Sequence, residues 1–384
     1  MKENSEAIKY SQISYSDLIY GKIINASDGY YHLIKDLLQY PDAVIYIVWS
    51  FRGPGKTYSA LRYFYETGSK FIYLKRTADD IDLICAASSG VAIDFDASPF
   101  VPLNRDFGWN VMPVSFKKGI GAFYNCNEDG EPSGAPIGRL FALSKVKSIK
   151  GMDISESDFI LLDEFIPQSH EIVRKKEGEA LLDLVLTTAR DRMARGRKPL
   201  KLILFANSEN IACPITHTLE VMDDMAEMNN SNESIRYLED RLIMLHHILP
   251  EEAPKVSEGQ KIDGFYQAMK GTQWAKKAYE GLFTNNDFSN VCPMSLKKMV
   301  PYIHIHYKQK EYYIYSRESD GLLYMTFAPH PCPLNYDLDK ENDQKLFWVE
   351  NCQELRVDCM EGRMKFQKYS MYDLIINYKN YFKI

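Results

Sequence analysis

The apolar run Val44-Ile45-Tyr46-Ile47-Val48-Trp49 passes through Ser50-Phe51-Arg52-Gly53-Pro54-Gly55-Lys56-Thr57 into a helix-forming stretch, Tyr58 to Thr67. A strand, a glycine-bearing turn ending in Gly-Lys-Thr, and a helix in that order are the layout of a phosphate-binding P-loop. Gly53 and Gly55 let the backbone turn tightly, so that successive N–H groups converge on phosphates at a helix N-terminus. Lys56 then carries its ammonium to the β- and γ-phosphates of a nucleotide, and Thr57 offers its hydroxyl to Mg²⁺. Ser50 stands where the pattern GxxxxGK[ST] has its first glycine, so the strand before and the helix after carry the assignment.

A loop of this kind predicts an α/β chain, and up to about residue 250 strands and helices alternate as expected. Asp28 is placed to cap a helix carrying Tyr30, Leu33, Ile34, Leu37 and Leu38 on one face, which leads into the P-loop strand. A second strand, Phe71-Ile72-Tyr73-Leu74, is followed by Lys75 and Arg76 and then by a helix start at Thr77. Residues 107 to 144 read as short antiparallel strands, interrupted by the turn-like Asn127 to Gly134. At 384 residues the chain has room for two domains, and 45% hydrophobic residues give it ample core. The net charge of −6 excludes a global attraction to nucleic acid, so contact with a polyanion needs a local basic surface. Seven cysteines without CxxC spacing point to reduced thiols in a cytosol. No signal core or bilayer-spanning run is visible, so a soluble cytoplasmic protein without a membrane partner is expected.

The segment Asp158-Phe159-Ile160-Leu161-Leu162-Asp163-Glu164-Phe165 is a buried-type strand ending in two carboxylates. Coupled to a P-loop it reads as a Walker B segment, in which Asp163 holds Mg²⁺ and Glu164 polarises the attacking water. A third strand, Leu200 to Ala206, ends in Asn207, either a sensor of the γ-phosphate or a turn-forming strand end. Between these strands lies the densest basic window: Arg190, Arg192, Arg195, Arg197, Lys198 and Lys201. A helix from about Glu179 to Arg195, packed through Leu181, Leu182, Val185 and Leu186, would deliver these cations at its C-terminal end. Two or three are explained by the helix dipole. Arg190 or Arg192, with Arg190 preferred, is the candidate for an arginine finger into a neighbouring subunit.

The ordered segments WSFRGPGKTYSA, FIYLKRT, FALSKVKSIKG, DFILLDEFI, LTTARDR and ILFANSEN resemble the phage DNA-packaging ATPases of the φ29 encapsidation-protein type, relatives of the large terminase subunits. The resemblance covers roughly residues 44 to 250. It implies a P-loop ATPase domain of the ASCE type over 1–250, with a RecA-like parallel sheet. It further implies a homo-oligomeric ring, expected to be a pentamer, docked on the portal of an empty prohead and driving double-stranded DNA inward. A structural RNA is a further candidate partner, and the motor would work in the host cytoplasm, attached only transiently to the prohead. Carried over by position, Ser50, Arg52, Gly53, Pro54, Gly55, Lys56, Thr57 and Arg76 fall on nucleotide-binding positions. Thr57 and Asp163 fall on the metal contacts. Glu164, Arg190, Lys56, Asn207, Arg52 and Lys150 fall on catalytic positions, with Arg190 and Lys150 acting across the subunit interface. The lysines Lys117, Lys118, Lys145 and Lys147 are candidates for gripping DNA phosphates.

The C-terminal third begins after a strand at Leu242 to Leu249. Residues 251–292 read as a helical linker or lid, with Phe265, Met269, Trp274, Ala278 and Tyr279 at helix-like spacing. From Tyr302 the pattern is a three-stranded meander with turns at Lys308 to Lys310 and Glu318 to Gly321, followed by a helix in Met371 to Tyr381. The resemblance implies an α+β RNase H-like domain over 293–384. A two-metal nuclease needs converging carboxylates. The first strand offers His304 and His306 instead, so a vestigial domain is expected. Asp320, Asp337, Asp339, Asp343 and Asp358 leave a rearranged metal site open. Two rival readings remain: a nuclease-competent terminase, and an ATP-binding subunit that does not translocate DNA.

Overall fold

The computed structural model describes residues 28–86, 97–149, 151–168, 171–283, 285–382 and 384. Two compact units result: residues up to Leu219 together with Glu227–Asn285, and Glu220–Ala226 together with Asn286–Ile384.

The first unit is built on the strands β1 (Ile45–Ser50), β2 (Phe71–Lys75), β3 (Val111–Lys117), β4 (Ile120–Cys126), β5 (Pro132–Ala142), β6 (Phe159–Asp163), β7 (Lys201–Asn207), β8 (Ile235–Leu238) and β9 (Ile243–Ile248). They form one sheet in the order β3-β4-β5-β2-β6-β7-β1-β9-β8. The six central strands, β5 to β9 in that order, are parallel, and antiparallel strands extend both edges. β6 and β9 are buried at every position, and β7 along its middle, because helices cover both faces of a parallel sheet. That is why they read as continuous apolar runs. β7 lies between the P-loop strand β1 and the Asp-Glu strand β6, the arrangement anticipated for an ATPase with an interposed strand.

Several local expectations shift. The helix after the P-loop begins at Lys56, two residues earlier than read, with Gly55 left-handed at its N-terminal boundary. Its Phe64 ring packs 4.9 Å from Phe71 and 4.8 Å from Phe159, fastening the helix over β2 and β6. Thr77 caps Ala78–Ile84 through a reciprocal bond with Asp80. Asp28 does not cap the helix Leu33–Gln39: it accepts from the Tyr30 amide and bonds the His32 ring instead. The basic-window helix spans Glu177–Ala189 and buries Leu181, Leu184 and Thr188, whereas Leu186 is exposed. Arg190 ends it with an extended ψ, and Asp191 follows in the left-handed region, so the arginines beyond sit in a turn.

Residues 250–283 form short helical segments, Pro254–Ile262, Gly264–Met269, Gln273–Ala275 and a π-turn at Lys276–Glu280. They belong to the first unit because they bond directly to the P-loop. Arg52 N donates to Ala278 O at 2.9 Å, and Gln260 Nε2 donates to Arg52 O at 2.8 Å. Gly281 has φ 72°, and a Cβ there would lie 2.7 Å from Phe51 N, so this approach requires glycine.

The second unit carries β10 (Val300–Tyr307), β11 (Lys310–Arg317), β12 (Leu322–Thr326), β13 (Leu334–Asp337) and β14 (Met364–Phe366) in the order β13-β10-β11-β12-β14. β10, β11 and β12 are the anticipated antiparallel meander, and each outer strand adds in parallel. Ile303, Ile305, Ile314 and Met325 face a core shared with Phe347, Leu355, Leu374 and Tyr378. The intervening His304 and His306 are only partly buried. Among the described residues no helix is long and apolar enough to cross a membrane.

Candidate functional site

The C-terminal edges of β1, β6 and β7 converge, as ligand-binding edges of open parallel sheets do. Ser50 closes β1 in register with Asn207 on β7, and Asp163 closes β6 beside Phe205. Gly53 (φ 92°) and Gly55 (φ 97°) both occupy the left-handed region that lets the loop between them fold over the helix start. Gly53, Pro54, Gly55, Lys56, Thr57, Tyr58, Asp163, Glu164, Ala206 and Asn207 line one cleft of about 250 Å³.

Lys56 is buried, and its ammonium donates to Ser50 Oγ at 2.5 Å and to Asn207 Oδ1 at 3.3 Å. Burial pushes its pKa down to about 8, against the opposing pull of Asp163 and Glu164. A desolvated cation of this kind, facing a cleft with backbone amides at a helix start, fits a polyphosphate. Ser50, the departure from the usual glycine, serves as an acceptor for that lysine. Thr57 and Asp163 are the oxygen donors in the cleft suited to a Mg²⁺ ion. Glu164 has φ 56°, an uncommon conformation for a residue with a side chain, and its carboxylate is 56% exposed beside the buried Asp163.

Two predicted residues stand elsewhere. Arg76 does not enter the cleft. It is buried in ion pairs with Glu177 (3.0 Å) and Glu171 and donates to Ile172 O. The residue over the Asp163-Glu164 pair is Lys75, whose Nζ lies 2.8 Å from Glu164 and 3.2 Å from Asp163. Burial disfavours its charge, but the two carboxylates outweigh that and raise its pKa. Tyr73, two residues earlier, donates to the same Asp163 at 2.8 Å. The Arg52 side chain is exposed, while its backbone is tied to residues 260 and 278.

The basic window separates by role. Arg192 is buried and consumed by Asp158 and the carbonyls of Ser155, Ser157 and Lys198, so it cannot reach a neighbour. Arg197 binds the Ser155 and Glu156 carbonyls, and Lys201 those of Pro41 and Ala43. Arg190 is exposed, outside the P-loop cleft of its own chain. With Gly151, Met152, Asp153, Ile154, Ser155, Thr187 and Arg195 it lines a second cavity of about 420 Å³. Lys150 lies outside the described residues. Of the four candidate DNA-gripping lysines, Lys118 pairs with Asp79 at 2.9 Å.

Sequence reasoning also missed the contacts behind the P-loop. Gly281 O accepts from Ser208 Oγ at 2.6 Å and from the His247 ring at 3.0 Å, and His247 stacks on Trp49. Burial holds the His247 pKa down at about 4, so it is neutral.

No family model matches the chain, and no curated protein does. Solved structures do. The bacteriophage Phi-29 viral genome packaging motor assembly superposes with a TM-score of 0.62 at 20% identity, covering 92% of this chain and 98% of that one. The Phi-28 gp11 DNA packaging motor gives a TM-score of 0.53 at 17% identity, covering 92% of this chain and 97% of that one. Over 92% of its length the chain therefore has the fold of the φ29-type DNA packaging motor ATPases.

Proposed function

We propose that the protein is an ATP-hydrolysing motor that drives double-stranded DNA into a preformed prohead. The observation that carries this is the convergence of Lys56, Asp163, Glu164 and Asn207 on one cleft, with β7 between the two Walker strands. In this reading the P-loop amides and Lys56 bind the ATP phosphates, Asn207 senses the γ-phosphate, and Glu164 accepts the proton of the attacking water. Thr57 and Asp163 would hold Mg²⁺, which when bound would supply charge neutralisation on the phosphates.

The subunits form a ring on the portal, and Arg190 completes the neighbour's site as an arginine finger. Its exposure and its position outside its own cleft support an action in trans, as does the consumption of Arg192. The second unit is a vestigial RNase H-like domain, a reading supported by its mixed five-stranded sheet and by histidines in place of carboxylates on β10. The motor works in the host cell, attached to the prohead only during packaging.

The test combines ATPase and DNA-packaging assays with cognate proheads. Glu164→Gln should bind ATP and abolish both activities. Arg190→Ala mixed into wild-type protein should suppress turnover beyond simple dilution. Suppression that follows dilution alone would reject the finger, and an ATPase indifferent to DNA and proheads would reject the motor. Supercoiled plasmid incubated with Mn²⁺ should remain unnicked.

A further inference from the structure

The histidine pair on β10 is not used by the nucleotide cleft, and the structure surrounds it with carboxylates that sequence spacing does not reveal. His306 pairs in register with Glu311 on β11 and with Asp337 on β13. The Leu338 amide donates to His306 O at 2.8 Å, which extends the ladder and brings Asp339 across to the same ring. One ligand atom from each of His306, Asp337 and Asp339 can lie within 4.8 Å of the others. The more distant aspartates are engaged otherwise: Asp320 pairs with Arg317, Asp358 with Arg363, and Asp343 accepts from the Asp337 amide.

We propose that His306, Asp337 and Asp339 form a binding site for one divalent transition-metal ion, independent of the ATP-bound Mg²⁺. The orientation of the imidazole is the second observation. His306 Nδ1 lies 2.8 Å from Glu311 Oε1, and the other Glu311 oxygen lies 2.6 Å from His304 Nε2. His306 Nε2 lies 3.4 Å from Asp339 Oδ2, and in the tautomer that donates Nδ1–H to Glu311 it is the nitrogen left to take a metal ion placed between them. A carboxylate that fixes the distal nitrogen of a ligating histidine is the usual outer support of such sites. Asp339 is itself held by the Lys308 amide, at 3.2 and 3.3 Å to its two oxygens. Asp337 keeps Oδ1 for the Asp339 amide and offers Oδ2, where the exposed Lys340 ammonium now rests at 3.0 Å and would swing out.

One imidazole nitrogen with two carboxylates, completed by water, suits Zn²⁺, Co²⁺ or Mn²⁺. Ca²⁺ and Mg²⁺ favour oxygen donors alone. The bound ion would clamp the turn after β13 onto β10. The inference rests on the second unit alone and does not depend on the motor reading.

Metal-free full-length protein is titrated with Co²⁺ in excess Mg²⁺, which occupies oxygen-only sites, and visible ligand-field absorption is recorded. One equivalent should bind, and Zn²⁺ should displace it. His306→Ala should remove the signal. Asp339→Asn, which keeps an acceptor for the Lys308 amide, should weaken binding at least tenfold. Glu311→Gln should weaken it roughly ten- to a hundred-fold through loss of the supporting carboxylate. Far-UV circular dichroism checks that each variant is folded. Folded His306→Ala and Asp339→Asn variants that titrate like wild type would overturn the site.

Discussion

Replacing Lys75 by methionine removes the ammonium paired with Asp163 and Glu164 while keeping most of the side-chain volume. Its Nζ sits 2.8 Å from Glu164 and 3.2 Å from Asp163. At about 3 Å and an effective dielectric of about 20, the gross attraction to one carboxylate is about 5 kcal/mol. Glu164 is 56% exposed, however, and solvent screening of such a pair leaves about 1 kcal/mol net. In the proposed mechanism that restraint holds the glutamate away from the role of base, since a carboxylate bonded to an ammonium is a poorer proton acceptor. Freed of it, Glu164 should raise the basal, DNA-free ATPase rate about fivefold, the factor that about 1 kcal/mol corresponds to. The ratio of stimulated to basal turnover should fall by a similar factor, because stimulation would have less restraint to release. Steady-state phosphate release with and without DNA and proheads measures both quantities. A basal rate that drops tenfold would mean that Lys75 positions Glu164 for catalysis, and an unchanged ratio would mean that it does neither. Either result refutes the restraint.

Arg76→Met should cost roughly 3–5 kcal/mol, seen as a lowered unfolding midpoint, because it strands the buried Glu177 without its partner. Nucleotide affinity of the folded fraction should be unchanged, and a selective loss of ATP binding would return Arg76 to the cleft. Lys56, with its pKa pushed down to about 8, should take up a proton when ATP binds near pH 8.5. Calorimetry in buffers of different ionisation enthalpy reads this directly, and buffer-independent heats would contradict it. His246 is buried between Asp36 and Glu252; burial opposes its charge, but these partners raise its pKa to about 10. A folded pKa above the unfolded value stabilises below the unfolded pKa of about 6.5, and that contribution is lost as pH rises through about 10. The unfolding midpoint of wild type relative to His246→Gln should therefore shrink steadily from neutral to alkaline pH, and a constant difference would exclude the charged pair.

How much of this was legible in the sequence depended on how local the determining physics was. The P-loop, the Asp163-Glu164 strand end and β7 were readable because a parallel strand buried on both faces leaves an unbroken apolar run. The basic window was readable as a cluster but not by role, because the separation of Arg190 from Arg192 is set by a helix end. The helix stops at Ala189, and the turn that follows feeds Arg192 back onto the Ser155 and Ser157 carbonyls. The link from Gly281 to Ser208 and His247 joins positions far apart in the chain, and no local pattern encodes it. Glu311, Asp337 and Asp339 meet His306 only through the register of β10 with β11 and β13.

The exchange of Arg76 for Lys75 in the cleft was half decidable from the sequence: strand alternation separates the two residues, and the register with β6 settles which one meets Asp163. Successive side chains of a strand point to opposite faces, so Tyr73 and Lys75 share one face. β2 lies beside β6 in parallel with Leu74 opposite Leu162, which brings Lys75 level with Asp163. Tyr73 and Lys75 accordingly meet on the same carboxylate, while the next residue leaves the strand and turns away. Arg76 is drawn to Glu171 and Glu177, at the start of the helix that ends in Arg190. One strand end thus touches both halves of the proposed shared site: Lys75 pairs with the local carboxylates, and Arg76 anchors the helix that ends in Arg190, the cation proposed to reach the neighbour. In a ring, a shift of β2 on ATP hydrolysis would be felt at Arg190 through that ion pair. Arg76→Met should therefore reduce suppression by Arg190→Ala in mixed rings, because a finger already loosened has less to lose. Suppression of unchanged size in the Arg76→Met background would show that the two strand-end residues act independently.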